Sequence, residues 1–226
     1  MALEIKTPPG EEPLSLAETK SYLKVTGTAD DTLLTQIITA VRKSCEDWTG
    51  RALITQTWTL WRGGFPHRRR DHLPHDGYFE LPVDFADAAV RVLDIPKPPL
   101  QSVTFLKTYN AAHAASTFDA AKYFVDTASE PGRIVLNESS SWPTGLRPAN
   151  GVEIEFVAGY GDAASVPDAL KQGLLLWIKG LYANRNWLFE LGESIPGLAE
   201  FNQHDVPPPV ASLWAPYKIY ALGGRR

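Results

Sequence analysis

The stretch DDTLLTQIITAVRKSCEDWTGRALITQTWTLW, residues 30–61, decides the fold, because its hydrophobic period changes from helical to extended within it. Over residues 31–49, apolar side chains recur every three or four positions, as one face of an amphipathic helix requires. The two aspartates at its start suit the exposed N–H groups of a helix N-terminus, and Gly50 suits its end. From Ile54 to Trp61, polar and apolar residues alternate and β-branched and aromatic residues dominate, which predicts a strand.

Two further segments have helical periodicity. Upstream, Ser15-Leu16-Ala17-Glu18 has the spacing of a capping box and predicts a helix that ends before Gly27. Downstream, Pro167-Asp168 suits a helix start, and apolar side chains share one face as far as Tyr182. A last short element is predicted over Val210–Tyr220.

Short runs with strand character lie between these helices, separated by turns rich in Gly and Pro. The runs are Phe79–Val83, Val90–Ile95, Ser102–Tyr109, Tyr123–Asp126, Arg133–Leu136 and Val152–Ala158. Their spacing predicts a small antiparallel β-sandwich or barrel. We therefore expect an α+β fold. A helical bundle from residues 1–50 and 166–226, with a C-terminal extension, would carry an inserted β domain of residues 51–165.

The composition argues against several classes of protein. Of the 226 residues, 44% are hydrophobic and 21% are charged, which is typical of a globular chain with its own core. The net charge of −4 argues against a broad surface that grips DNA phosphates. The N-terminus lacks the pattern of a signal peptide, and no apolar run approaches the ~18 residues of a membrane helix. We expect a soluble protein from a reducing compartment, with no membrane partner.

The densest polar cluster is HRRRDHLPHD, residues 67–76. Imidazole and carboxylate groups are suitable metal ligands, but their spacing here lacks the helical i, i+4 step that aims two histidines at one ion. Pro74 and Gly77 favour a loop. A solvated or partner-facing loop is therefore the preferred interpretation, in which Arg68, Arg69 and Arg70 are candidate contacts.

No other pattern assembles a catalytic site. Cys45 is in step with the apolar stripe of its helix, which predicts a buried structural thiol rather than a nucleophile. Gly159–Asp162 lacks the spacing of a phosphate-binding loop and is interpreted as a turn. Glu153 and Glu155 share one face of a predicted strand, and that face is expected to be the solvated one. We predict no catalytic residue, no metal and no cofactor.

Aromatic and apolar side chains in two C-terminal segments are left over. They are Trp187, Leu188, Phe189, Trp214, Tyr217 and Tyr220. Such side chains either complete the chain's own core or anchor a partner, and the sequence leaves both alternatives open. We therefore treat the six as candidate partner contacts.

Several stretches taken together resemble the head–tail connector (adaptor) proteins of tailed bacteriophages. The resemblance is to the larger branch with a β insertion, which also occurs in prophages and gene transfer agents. The resembling stretches are Pro13–Val25, Asp30–Trp58, Pro98–Val103, Pro131–Val135, Ser141–Pro143, Val152–Arg185 and Ala215–Lys218. The sequence TGRALITQTW, followed far downstream by VAGYGD, is the most specific combination. Residues 62–97 and 188–209 depart from the family pattern.

The resemblance implies a structural, non-enzymatic virion protein. Such proteins form a ring of about twelve copies under the portal. They extend the DNA channel and dock the next neck or tail protein, such as a stopper. The implied location is the virion neck, after synthesis in the bacterial cytoplasm. Double-stranded DNA would pass through the lumen during packaging without specific contacts, as the negative net charge allows.

The expected arrangement places the helices in the ring wall and residues 186–226 near the portal. Truncation before Asn186 should then leave a folded domain that no longer binds the portal. Two alternatives remain. One is another neck protein, such as a stopper, head-completion or tail-terminator protein. The other is a metal-dependent hydrolase that uses the loop histidines His67, His72 and His75.

Overall fold

A computed structural model describes residues 1–66, 91–183 and 206–219 of the chain. Within these ranges the chain forms α-helices and antiparallel sheets, which agrees with the expected mixture of helices and strands. It divides into two compact units. The β unit comprises Met1–Pro8 and Gln56–Gly159, and the helical unit comprises Pro9–Thr55 and Tyr160–Arg226.

The β unit contains the eight strands that the structure describes. They are β1 (Ala2–Thr7), β2 (Gln56–Arg62), β3 (Val92–Ile95), β4 (Leu100–Tyr109), β5 (Ala115–Thr117), β6 (Tyr123–Asp126), β7 (Gly132–Leu136) and β8 (Val152–Ala158). Five form one sheet in the order β1-β2-β8-β4-β5, and three form a second in the order β3-β7-β6. As formed by the described strands, neither sheet closes on itself, so the closed barrel, one of the two predicted forms, is wrong.

The strand boundaries follow the sequence prediction closely, with two additions. The predicted strands over Tyr123–Asp126 and Val152–Ala158 are found at those bounds. The prediction missed β1 and β5, and it placed the residues of β1 in the helical part. β1 is ordered by pairing with β2, some fifty residues away in sequence, so local pattern alone does not reveal it. The predicted strand Phe79–Val83 lies outside the described residues.

The core of the β unit lies against one face of its larger sheet. Along β8, Val152, Ile154 and Phe156 are fully buried, as the alternation predicted. Leu60 of β2 and Leu106 of β4 flank Ile154 in the strand register and are equally buried. The three strands at the sheet centre therefore contribute one continuous apolar layer.

The helical unit contains the four α-helices that the structure describes: α1 (Leu16–Leu23), α2 (Asp31–Thr49), α3 (Asp168–Ala183) and α4 (Pro208–Trp214). The predicted cap of α1 is present, since Ser15 Oγ accepts the Glu18 N–H at 3.1 Å. Gly50 ends α2 with φ of 77°, a left-handed conformation that suits glycine. None of the described helices is long and apolar enough to cross a lipid bilayer.

Trp214, the last residue of α4, lies at the centre of the helical core. It is fully buried and packs against the rings of Trp48 and Trp177, with ring centres 6.1 and 5.5 Å away. Its indole N–H donates to the Leu170 carbonyl at 3.2 Å. A Cβ added at Gly173 would lie only 2.2 Å from the indole nitrogen, so α3 needs glycine at this position.

This packing corrects two expectations about the C-terminal part. Trp214 fills the core of its own unit and is not exposed to a partner. A chain that ends before Asn186 would also lose Val210, which is nearly as buried. Removing two core side chains leaves a large cavity, so that truncation is not expected to leave the helical unit folded.

The contact between Trp214 and Gly173 gives a matched test. We expect Gly173→Ala to lower the free energy of unfolding by about 1–3 kcal/mol, because the new methyl group must displace a buried indole. Gly180→Ala on the same helix is the control, since its Cβ would meet nothing within 4 Å. It should raise stability by up to about 1 kcal/mol through helix propensity. Urea unfolding of both variants checks this, and equal effects would contradict it.

Candidate assembly surfaces

Arg42 connects the segment before α1 to the buried side of α2. Its Nε donates to Glu12 Oε2 at 2.7 Å, and its Nη1 donates to Glu46 Oε2 at 2.8 Å. The other oxygen of Glu46 accepts the Leu53 N–H at 3.0 Å. Because Arg42 and Glu46 are both buried, each charge depends on the other for stabilisation. This network fixes the chain just after α2, where the next group of contacts is built.

The described C-terminal end of the chain is bound to the end of α2. We call the residues involved, Trp48, Thr49, Arg51, Tyr217, Lys218 and Ile219, the C-terminal anchor. Arg51 Nε donates to the Tyr217 carbonyl at 2.5 Å, and the Ile219 N–H donates to the Thr49 carbonyl at 2.8 Å. Lys218 Nζ lies 4.4 Å from the centre of the Trp48 ring. The residues after Ile219 therefore begin from a point defined by α2.

The anchor explains the Ala215–Lys218 motif on which the family resemblance partly rests. Tyr217, one of the candidate partner contacts, is half-buried, and its ring centre lies 6.0 Å from the Arg51 guanidinium. The ring centre of Tyr160 lies at 5.9 Å from the same group. Tyr217 thus contacts its own unit and leaves part of its ring exposed.

The remaining candidate contacts cannot be placed against these surfaces. Those that lie outside the described residues are Trp187, Leu188, Phe189 and Tyr220, together with Arg68, Arg69 and Arg70 and the histidines His67, His72 and His75. Within the described ranges, no three His, Cys, Asp or Glu side chains are grouped as metal ligands.

The second face of the larger sheet carries Glu153 and Glu155, together with aromatic and basic side chains that the sequence analysis did not single out. Tyr109, the last residue of β4, makes several of these contacts: its hydroxyl donates to Glu153 Oε2 at 2.6 Å, and the Trp61 ring centre is 5.9 Å from the Tyr109 ring centre. The Arg147 guanidinium lies 4.2 Å from the same ring. The hydrogen bond to Glu153 is the main cause that raises the pKa of Tyr109, with burial and the carboxylate charge adding to it.

Glu155 differs from the prediction that this face is solvated. It is only 8% exposed, because Lys6 forms an ion pair with it and Phe105 lies beside that ion pair. The Phe105 ring also receives Lys107 Nζ at 3.9 Å from its centre. Lysine side chains that lie over an aromatic ring cover part of the sheet face with their methylene groups and keep the ammonium group in water.

A cavity of about 570 Å³ opens beside the β4–β5 hairpin and is bounded by the segment from Ser141 to Leu146. Two of its polar wall groups bind their own loops: Asn110 Oδ1 accepts two backbone N–H groups, and Asp119 Oδ1 accepts one. Trp142 is buried and stacked on Phe65 at 4.3 Å between ring centres. The Ser141–Pro143 motif therefore has a packing role here.

Two further predictions about chemistry can be compared with the structure. Cys45 is buried, as predicted, and burial together with the Glu46 charge raises the pKa of its thiol. The thiol is therefore protonated and weakly nucleophilic. Gly159 and Gly161 both have φ of 128°, so GYGD forms a turn that only glycine adopts easily at those positions.

The fold matches chains from gene transfer agent (GTA) particles over its full length. One comes from the neck of an empty GTA particle computed with C6 symmetry, with 22% identity and a TM-score of 0.69. Another comes from the virion of a native GTA particle, with 21% identity and a TM-score of 0.68. A third comes from the neck of a native GTA particle computed with C12 symmetry, with 23% identity and a TM-score of 0.61.

In all three cases the match covers 100% of both chains. The fold is shared with these GTA chains. No protein-family model matches the chain, and the comparison with curated proteins gives no match. At this level of identity the likeness establishes the fold, and function requires a separate argument.

The C-terminal anchor predicts a specific effect of Arg51. We expect Arg51→Ala to accelerate hydrogen exchange of the Ile219 amide at least ~10-fold, because losing a hydrogen bond to a charged donor costs about 1.5–3 kcal/mol. Arg147→Ala in the β unit is the control and should leave that amide protected. Hydrogen-exchange mass spectrometry of the C-terminal peptide measures both. Equal protection in the two variants would show that Arg51 does not hold the anchor.

Proposed function

We propose that the chain is a head–tail connector of a phage-like particle, a structural protein that forms a ring beneath the portal. The observation that carries the proposal is the match over the whole chain to GTA neck chains. The order of the connector-like motifs along the sequence supports the same role. In this role the ring extends the DNA channel and docks a stopper or other tail-side neck protein.

A cyclic ring fits what is known of the matched particles and of the chain. The matched necks were computed with C6 and C12 symmetry, and cyclic rings join copies through two different surfaces on each subunit. Each subunit has a β unit and a helical unit, which offer different surfaces for such contacts. A net charge of −4 suits a channel through which DNA slides, because phosphate binding requires positive charge.

The portal contact is assigned to the C-terminal part of the chain. The C-terminal anchor gives the residues after Ile219, beginning with Tyr220, a defined starting point. Trp187, Leu188 and Phe189 supply apolar side chains of the kind that anchor interfaces. Arg68, Arg69 and Arg70 are assigned to contacts with a neighbouring copy, the next neck component or passing DNA.

Another neck position is the alternative role. The matched chains are described by particle, neck and virion, without a position within the neck. A stopper, head-completion or tail-terminator protein would share the virion location and the need to assemble. Direct binding to the portal distinguishes a connector from these.

Native mass spectrometry of the chain with the portal ring of the same particle tests the role. We expect about twelve copies to add to an intact portal ring, in line with the C12 symmetry of a matched neck. No addition while the portal ring remains intact would exclude the connector role. It would favour a stopper or a tail terminator.

A triple variant tests the assigned contact residues. Trp187→Ser, Leu188→Ser and Phe189→Ser together should weaken portal binding at least ~100-fold, because hot-spot side chains carry most of an interface's energy. Leu181→Ser is the matched control, since Leu181 is an exposed leucine at 43% on α3 that is not assigned to the contact. Binding is measured by the same experiment, with thermal unfolding to verify folding. Equal binding by the two variants would remove these three residues from the contact.

A further inference from the structure

β1 leaves one row of backbone groups open at the edge of the larger sheet. It is six residues long, and among the described strands it pairs with β2 alone. Among the described residues, none donates a backbone hydrogen bond to its outer edge or accepts one from it. A strand of this length presents about three outward N–H and three outward C=O groups, which an added strand can satisfy.

The lysine on this edge strand is engaged within its own sheet. Edge lysines normally keep other strands away by placing charge at the edge. Lys6 instead reaches back across the sheet to Glu155, so its charge is compensated within its own subunit. A register shift between Ile5 and Thr7 interrupts the pairing, and two prolines follow the strand, so the regular part of the edge runs from Ala2 to Ile5.

Apolar side chains accompany the open backbone. Ile5 is 44% exposed and is paired in register with Trp58 of β2. Trp58 itself is 7% exposed, and its indole N–H has no acceptor among the described residues. Buried donors in folded proteins nearly always have an acceptor, so this indole N–H is unusual. Another chain that covers this edge would remove the exposed surface of Ile5 from water.

A second edge strand of the same unit also carries an exposed apolar side chain. β6 is an edge strand of the three-stranded sheet, and its Phe124 is 63% exposed. The two other described edge strands lack such a side chain: β5 has three small residues, and Leu93 and Ile95 of β3 are buried. Of the four exposed large apolar side chains in the described ranges, two lie in or beside β1 and one lies in β6.

We propose that β1 of one copy pairs with β6 of the next copy, with Ile5 opposite Phe124. An aromatic ring opposite a β-branched side chain is a favourable cross-strand pair. The two edges belong to different strands, so the contact is head-to-tail, as a closed ring requires. The inference rests on the proposed ring and names the surfaces that join its subunits in the β unit.

Disulfide trapping tests the pairing in the protein assembled with its portal. Opposed residues on paired strands have Cβ atoms about 4.5–5.5 Å apart, close enough for a disulfide after small adjustment. The double variant Ile5→Cys/Phe124→Cys, oxidised with diamide, should give a ladder of cross-linked copies on a non-reducing gel. The buried native Cys45 should remain unreacted, so the unsubstituted chain serves as the background control.

Three controls identify the pairing. Phe124→Cys alone should give no cross-link, and Ile5→Cys alone should give none. Dimers from Ile5→Cys alone would show that β1 pairs with β1, which overturns the proposal. The variant Ile5→Cys/Thr117→Cys tests the β5 edge, and a ladder there, with none from Ile5→Cys/Phe124→Cys, would also overturn it.

Native mass spectrometry of the same samples separates this proposal from the ring itself. A ring without a ladder would refute the β1–β6 contact and leave the connector role intact. Absence of both ring and ladder would refute the two together.

Discussion

Trp214 is the side chain on which the helical unit depends, because it joins parts of the chain that are far apart in sequence. It contacts α2 through Trp48 and α3 through Trp177, and its N–H is satisfied by Leu170. The close approach is possible only because α3 has glycine at position 173. A large aromatic residue that meets a glycine in this way gives close packing at one relative position of the helices.

The polar contacts of the helical unit build on this packing. With α2 fixed in the core, its buried Arg42–Glu46 pair holds the chain after the helix, and Arg51 and Thr49 then bind the residues before the C-terminus. Among the described residues of the helical unit, each buried polar side chain has a hydrogen-bond partner, which low-dielectric surroundings require. The C-terminal anchor is therefore a consequence of the core rather than a separate attachment.

In the β unit, the central strands carry the buried layer and two edge strands carry exposed apolar side chains. β8 lies between β2 and β4, and these strands carry the buried layer of the larger sheet. The edge strands β1 and β6 carry exposed apolar residues instead. In a monomer such edges invite aggregation, whereas in an assembly they are surfaces for specific strand addition. The proposed ring would use both edges as contacts between its subunits.

Much of the secondary structure could be predicted from the sequence alone. The periodicity of residues 31–49, the alternation of residues 152–158 and the burial of Cys45 are local or one-dimensional properties, and they were predicted correctly. Helix and strand periods are set by backbone geometry, so the side-chain pattern reports them directly. The family resemblance added an expected role.

Tertiary structure alone decided the rest. In the structure, β1 is part of a sheet, and Trp214, a candidate partner contact, lies in the core. Glu155 is buried by its ion pair with Lys6. Trp61 and Arg147 both contact the Tyr109 ring. In each case the deciding neighbour is distant in sequence. Burial and pairing depend on which surfaces meet in space, and a pattern along the chain records the period of a segment but not the identity of the segment that covers it.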